Sequence, residues 1–331
     1  MSMKKSFKDL MKTNKMILLP ETYDFASTRC VELCGFEAAI ISSTEFALAT
    51  NGDMDLGLIT IDEAVWLCER VCRAAQIPII MDAEGGFGRP LNTYKAARRL
   101  AACGVGGIIV TDESATYLSY RDPERGAAPQ KEAIARMRAA AAGLEESEAI
   151  LVARTDVDMR RDFDEVVERC NKYIEAGATT TMVLSLNEYR DADERMDAVR
   201  RLAAQVPGSK WYPDLGSKNG KSDVSLDEIA ELGFNMVGIH YLLLAATYGM
   251  VEAGRHIAQE RNNLVLERNM KAMPEAAAVM KGTIPKAAFL DSFGLTDGTW
   301  SALERKFFEE DHMFASKSHR IENMMRGIRE V

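Results

Sequence analysis

The sequence predicts an α/β protein: a (β/α)8 TIM-type barrel followed by a C-terminal helical extension. Eight short apolar runs alternate with amphipathic stretches, glycines recur where helices give way to strands, and strand signals stop after about residue 242. Short buried strands alternating with helices make a parallel sheet, and eight such units close it into a barrel.

The apolar runs lie at 16–19, 38–41, 78–81, 106–110, 149–153, 180–184, 210–212 and 236–239. The seventh is the weakest, with Trp211 and Tyr212 its only bulky residues. Helical patterns fall near 24–34, 61–75, 91–103, 130–144, 162–176, 193–205 and 225–232. Gly104, Gly177 and Gly233 each stand where a helix should end before a strand, in the left-handed position that glycine takes without steric cost. A long helical pattern covers 241–263, and a strand-free tail punctuated by Pro274 and Pro285 follows. Residues 1–260 thus read as the barrel and 261–331 as a helical extension.

Composition narrows the function. With 47% hydrophobic and 27% charged residues among 331, the chain has the balance of a soluble globular protein. No run approaches the ~20 apolar residues that cross a bilayer, and no apolar stretch follows the basic start to make a signal peptide. A cytoplasmic protein without a membrane partner is expected. A net charge of −9, with no block of Lys and Arg, argues against a nucleic-acid partner. Six cysteines do not make a disulfide framework in a chain of this size. The pairs Cys30/Cys34 and Cys68/Cys72 each share a helix face; small buried helix residues are the expectation, a metal pair the weaker alternative.

Chemistry in such barrels gathers at the C-terminal ends of the strands. Polar residues there include Glu21, the run Ser42, Ser43 and Thr44, then Asp82 and Glu84, Thr111 to Glu113, Arg154 and Asp156, Ser185, Asp214 and His240. Asp82 and Glu84 are two apart, so on extended backbone both point to one side. Paired carboxylates repel and take raised pKa values unless a cation neutralises them. A hard, oxygen-seeking Mg²⁺ or Mn²⁺ suits them; a solvated acidic loop is the plain alternative. Arg154 at the barrel mouth can clamp a carboxylate with two parallel hydrogen bonds, pair internally with Asp156 or Glu84, or do both. For His240 an acid–base role and a structural one stay equally open.

Three ordered motifs resemble the phosphoenolpyruvate mutase/isocitrate lyase superfamily over roughly residues 8–260: the acidic segment containing Asp55, the Asp82-Ala-Glu84-Gly-Gly-Phe-Gly loop, and the Val152-Ala-Arg154-Thr-Asp156 strand end. The resemblance implies a Mg²⁺ (or Mn²⁺) enzyme that acts on a small α-keto or α-hydroxy carboxylate through an enolate-like or oxyanionic species. It implies Asp82 as direct metal ligand, with Glu84 and Asp55 holding metal-bound water. Ser42, Ser43 and Thr44 would bind the substrate carboxylate, and Arg154 substrate oxygens. It also implies a homotetramer in which C-terminal helices are exchanged.

The departures shape the reading equally. Thr111 stands where the family usually carries glutamate, so an acidic group is missing unless Asp112 or Glu113 replaces it. The lyases' loop with its cysteine between basic residues is replaced by 114–123, which has no cysteine, lysine or histidine. Tyr117 is the candidate for the missing loop acid, with Tyr120 and Arg121 as alternatives; Arg154, Asp55 and Tyr117 form the candidate catalytic set. The expectation is a lyase that cleaves or decarboxylates a small dicarboxylate but is not an isocitrate or methylisocitrate lyase. P–C bond chemistry of the phosphonopyruvate type and a catalytically degenerate binding barrel are the alternatives.

Overall fold

The computed structural model describes residues 5–13, 15–114, 126–218, 221–265 and 268. Its strands are β1 (Ile17–Thr22), β2 (Ala39–Ile41), β3 (Ile79–Asp82), β4 (Gly107–Thr111), β5 (Ile150–Thr155), β6 (Thr180–Val183) and β7 (Ser209–Tyr212). A small antiparallel pair, β8 (Ser217–Lys218) and β9 (Lys221–Ser222), precedes β10 (Phe234–Ile239). Eight of these strands pair in parallel as a closed barrel, in the order β1-β10-β7-β6-β5-β4-β3-β2. The barrel expected from the sequence is the observed fold.

The helices are α1 (Phe7–Met11), α2 (Phe25–Leu33), α3 (Ser43–Phe46), α4 (Ile61–Ala74), α5 (Pro90–Ala102), α6 (Gln130–Leu144), α7 (Phe163–Glu175), α8 (Ala192–Gln205), α9 (Leu226–Glu231) and α10 (Leu242–Glu260). Their starts follow local chemistry. Thr60 caps α4 in a reciprocal box with Glu63, Asp162 and Asp191 cap α7 and α8, and α5 begins at Pro90. Gly104, Gly177 and Gly233 all have positive φ at helix ends, as their placement predicts.

Strand alternation decides what faces the bore. Ile17, Leu19, Ile40, Ile80, Ile109, Ile150, Val152, Met182, Trp211 and Met236 pack together inside the barrel. Their neighbours along each strand, such as Leu151, Ala153, Ile108 and Val110, pack outward against the helices. Continuing the inward parity to the strand ends selects Glu21, Asp82, Thr111, Arg154, Gly238 and His240. β1 runs on through Glu21 and β5 through Arg154, so these polar residues lie within strands. Apolar runs alone end too early because the bore turns polar at its mouth.

Helix α1 lies over the residues 5–13 that composition reads only as a basic start. Phe7 and Leu10 are buried among the bore residues, and a Cβ at Gly106 would lie 2.7 Å from the Phe7 ring. The other end of the barrel is left for chemistry. Cys68 and Cys72 are buried on α4 as expected, whereas Cys30 on α2 and Cys34 at its C-terminal cap are exposed, against the same expectation.

Residues 1–251 form one compact unit and 252–331 a second, and α10 runs through the boundary. In the first unit Leu244, Tyr248 and Met250 are exposed on α10. In the second, Arg261 takes φ 54° just past the helix end, and Arg268 pairs with Glu260 at 2.7 Å. No helix among the described residues is long and apolar enough to cross a membrane.

Candidate active site

At the C-terminal end of the barrel a cavity of about 410 Å³ is lined by Ser42, Thr44, Asp55, Asp82, Arg154 and His240 above a floor of Ile40, Ile109, Met182 and Trp211. Most residues singled out from the sequence therefore meet in one place. Ser43 is buried behind the wall, where its hydroxyl hydrogen-bonds Glu84. Tyr117, Tyr120 and Arg121 lie outside the described residues.

The acidic wall is not built as its spacing suggests. β3 ends at Asp82, and Glu84 takes φ 50°, so the backbone between them turns. The turn is closed by the Glu84 N–H, which donates to Asp82 Oδ1 at 3.0 Å. The following glycines serve packing: a Cβ at Gly85 would sit 2.9 Å from Glu113 Oε1, and one at Gly86, where φ is 80°, would sit 2.6 Å from Thr93 Cγ2. Glycine allows the loop to fold against Glu113 and α5.

Glu113 and Asp112 part company after β4. Asp112 turns away from the cavity, accepting from Arg169 Nη1 at 3.0 Å, from the Tyr173 hydroxyl at 2.6 Å and from the Asp156 N–H at 2.9 Å. Glu113 turns toward the acidic loop, where Gly85 N–H donates to its Oε1 at 2.7 Å; its Oε2 is buried with no partner among the described residues. So Glu113, two residues beyond Thr111, brings a carboxylate to the group. Thr111 itself points into the bore with its hydroxyl unpartnered among the described residues.

These carboxylates strain one another. Burial, opposed by the Arg154 charge, pushes Asp82 up to about 6, with Glu21 and Asp55 adding to the rise. Burial and the charges of Asp82 and Glu113 raise Glu84 well above the carboxylate range. Glu113 is likewise pushed by burial to about 7 against the pull of Arg154. The local positive charge comes from Arg154, which donates to Asp156 through Nε at 2.7 Å and Nη2 at 3.1 Å. Its Nη1 lies 3.8 Å from Asp82 Oδ2. Arg154 is thus paired internally with Asp156, one of the alternatives weighed for it, and it also lines the cavity.

Across the mouth His240 places Nε2 2.8 Å from Glu21 Oε1 and Nδ1 3.7 Å from Glu45 Oε1. Burial works against its charge, but the hydrogen bonds of Glu21 and Glu45 outweigh it and raise its pKa to about 11. Solvent at the rim, where the ring is 44% exposed, screens part of this pairing. Glu21 is among the strand-end polar residues read from the sequence, whereas Glu45, on α3, is not.

Comparison with known proteins agrees with this fold. The profile of the phosphoenolpyruvate phosphomutase family matches residues 7–258. The chain belongs to that family. The chloroplastic carboxyvinyl-carboxyphosphonate phosphorylmutase of Arabidopsis thaliana is 30% identical over 254 residues, 74% of this chain and 72% of the relative. Oxaloacetate decarboxylase 1 of Pseudomonas fluorescens is 24% identical over 266 residues, 79% of this chain and 88% of the relative. The phosphoenolpyruvate phosphomutase structure from Streptomyces platensis subsp. rosaceus superposes with a TM-score of 0.72 at 19% identity, covering 91% of this chain and 97% of that one, a likeness of fold. The protein is thus an enzyme of the lyase and mutase type that makes up the phosphoenolpyruvate mutase/isocitrate lyase superfamily.

Proposed function

We propose that the chain is a Mg²⁺- or Mn²⁺-dependent lyase that cleaves or decarboxylates a small 2-oxo or 2-hydroxy dicarboxylate. The observation that carries this reading is one small cavity that holds strained carboxylates around Asp82, the Arg154 cation beside them and a second cation, His240, across the mouth. Crowded carboxylates with raised pKa values are a place for a cation. Asp82, Glu84 and Asp55 would hold it, with Glu113 beside them. Mg²⁺ keeps several waters and needs only one or two protein carboxylates. Bound there, it would polarise a substrate oxygen as a Lewis acid.

The chain's own residues supply the rest. Arg154, anchored by Asp156, presents Nη1 to a substrate oxygen on the Asp82 side. Ser42 and Thr44 line the same cavity at the start of α3, with hydroxyls for a carboxylate. His240, on the far side, is a second cation for a second carboxylate. Charge developing on a substrate oxygen between Arg154 and the acidic loop meets fixed donors, ordinarily the largest contribution to such catalysis. Loop 114–123, without the lyase cysteine, favours a substrate other than isocitrate or methylisocitrate. The exposed apolar residues of α10 support a homotetramer with exchanged C-terminal helices.

A second reading, P–C bond chemistry on a phosphonopyruvate-like substrate, is supported by the 30% identity to the Arabidopsis phosphorylmutase. Incubation of purified protein and Mg²⁺ with short 2-oxo and 2-hydroxy dicarboxylates and with phosphonopyruvate, followed by product mass spectrometry, separates the two. Cleavage of a dicarboxylate supports the first; turnover of phosphonopyruvate alone supports the second.

A further inference from the structure

β7 meets the bore through one bulky side chain. Tyr212 packs outward, its ring edge-on to Phe234, while Trp211 turns inward among Leu19, Ile109, Met182 and Met236 and is 1% exposed. The indole is part of the cavity wall, and its Nε1 is buried without an acceptor among the described residues. A buried indole N–H ordinarily has one. The neighbouring strand β10 carries Gly238 at this level. A Cβ there would lie 3.5 Å from Nε1 and would collide with the Pro213 carbonyl, so position 238 offers the nitrogen no side chain. In the closed order β7 is four strands from β3 in either direction, which sets Trp211 opposite Asp82.

We infer that Trp211 is a specificity-determining residue: its indole N–H donates to a substrate oxygen at the wall opposite Asp82, and its ring limits how long that substrate is. The inference rests on the carboxylate-substrate reading above. The other floor residues, Ile40, Ile109 and Met182, offer only apolar contact. A donor set in such an apolar floor rewards an oxygen and rejects an apolar end of the same size, because the donor would stay unpaired. On this reading a two-carbon dianion beside Asp82 leaves the donor on the opposite strand unused, and a four-carbon one extends toward it.

Calorimetric titration of the full-length protein with oxalate and with succinate, each with Mg²⁺ present, tests this. Trp211→Phe keeps a ring and removes the N–H. It is expected to leave oxalate affinity within about twofold of wild type and to weaken succinate about tenfold. Equal losses for both dianions, as a merely structural role gives, or no loss for succinate, overturn the donor role. Trp211→Leu opens the wall and is expected to raise the affinity for six-carbon adipate relative to succinate; an unchanged ratio overturns the length limit. Wild-type protein that binds neither dianion overturns the carboxylate reading itself and this inference with it, a result distinct from either variant's failure.

Discussion

Arg154 grips Asp156 with two parallel hydrogen bonds while its third nitrogen stands 3.8 Å from Asp82. The same aspartate receives further support, since its backbone N–H donates to Asp112, which is held by Arg169 and Tyr173. The guanidinium is therefore fixed before any ligand arrives, and positioning of this kind is what catalysis by electrostatic contacts requires.

Arg154→Lys should cost on the order of a hundredfold in kcat/KM. A lysine ammonium cannot hold Asp156 with a two-pronged contact and reach toward Asp82 at once. Arg161, 73% exposed, provides the control: Arg161→Lys should be neutral. Steady-state kinetics on the identified substrate decides, and equal rates for parent and Arg154→Lys would refute the clamp.

Glu113→Gln should weaken Mn²⁺ binding roughly tenfold to a hundredfold, the usual effect of removing a supporting group around a metal. Titration followed by electron paramagnetic resonance reads this without turnover. Asp112→Ala should instead destabilise the fold by about 3 kcal/mol or more, because it leaves Arg169 buried without its aspartate. Chemical denaturation measures that loss. Unchanged Mn²⁺ affinity in Glu113→Gln would show that its carboxylate does not serve the site.

His240 gives stability a pH signature. Its folded pKa lies above the unfolded value, so its contribution is complete below about 6.5 and is lost as pH rises toward about 11. The melting-temperature gap between wild type and His240→Gln should be widest at or just below about pH 6.5 and should shrink steadily as pH rises from there. A gap that widens with pH would reverse the assignment.

Gly86→Ala should destabilise the acidic loop by about 1–3 kcal/mol, since the new Cβ meets Thr93 at a backbone angle that suits glycine. Thermal unfolding is the measurement. A neutral effect would mean the loop shifts easily, and with it the Asp82–Glu84 geometry.

The barrel was legible in the sequence because strand and helix periods differ and eight apolar runs repeat the same order. Helix α1 was not: five residues, Phe7 to Met11, carry too short a period to stand out beside a cluster of lysines. In the site, Asp82 and Arg154 could be read from inward parity at the ends of β3 and β5. Glu84 could be named but not placed, because its position depends on a left-handed turn rather than on strand alternation. The choice of Glu113 over Asp112 was hidden for a related reason. It is set by what surrounds each carboxylate, Arg169 and Tyr173 for one and the Gly85 N–H for the other, and these partners are distant in sequence.

The central claim is that a divalent cation and a dicarboxylate meet at Asp82. Anomalous diffraction from crystals grown with Mn²⁺ and succinate tests it most directly. The account predicts a Mn²⁺ peak beside Asp82, within reach of Glu84, Asp55 and Glu113, with one end of the succinate toward Arg154 and the other toward His240. Crystals with no Mn²⁺ density at Asp82 would contradict it.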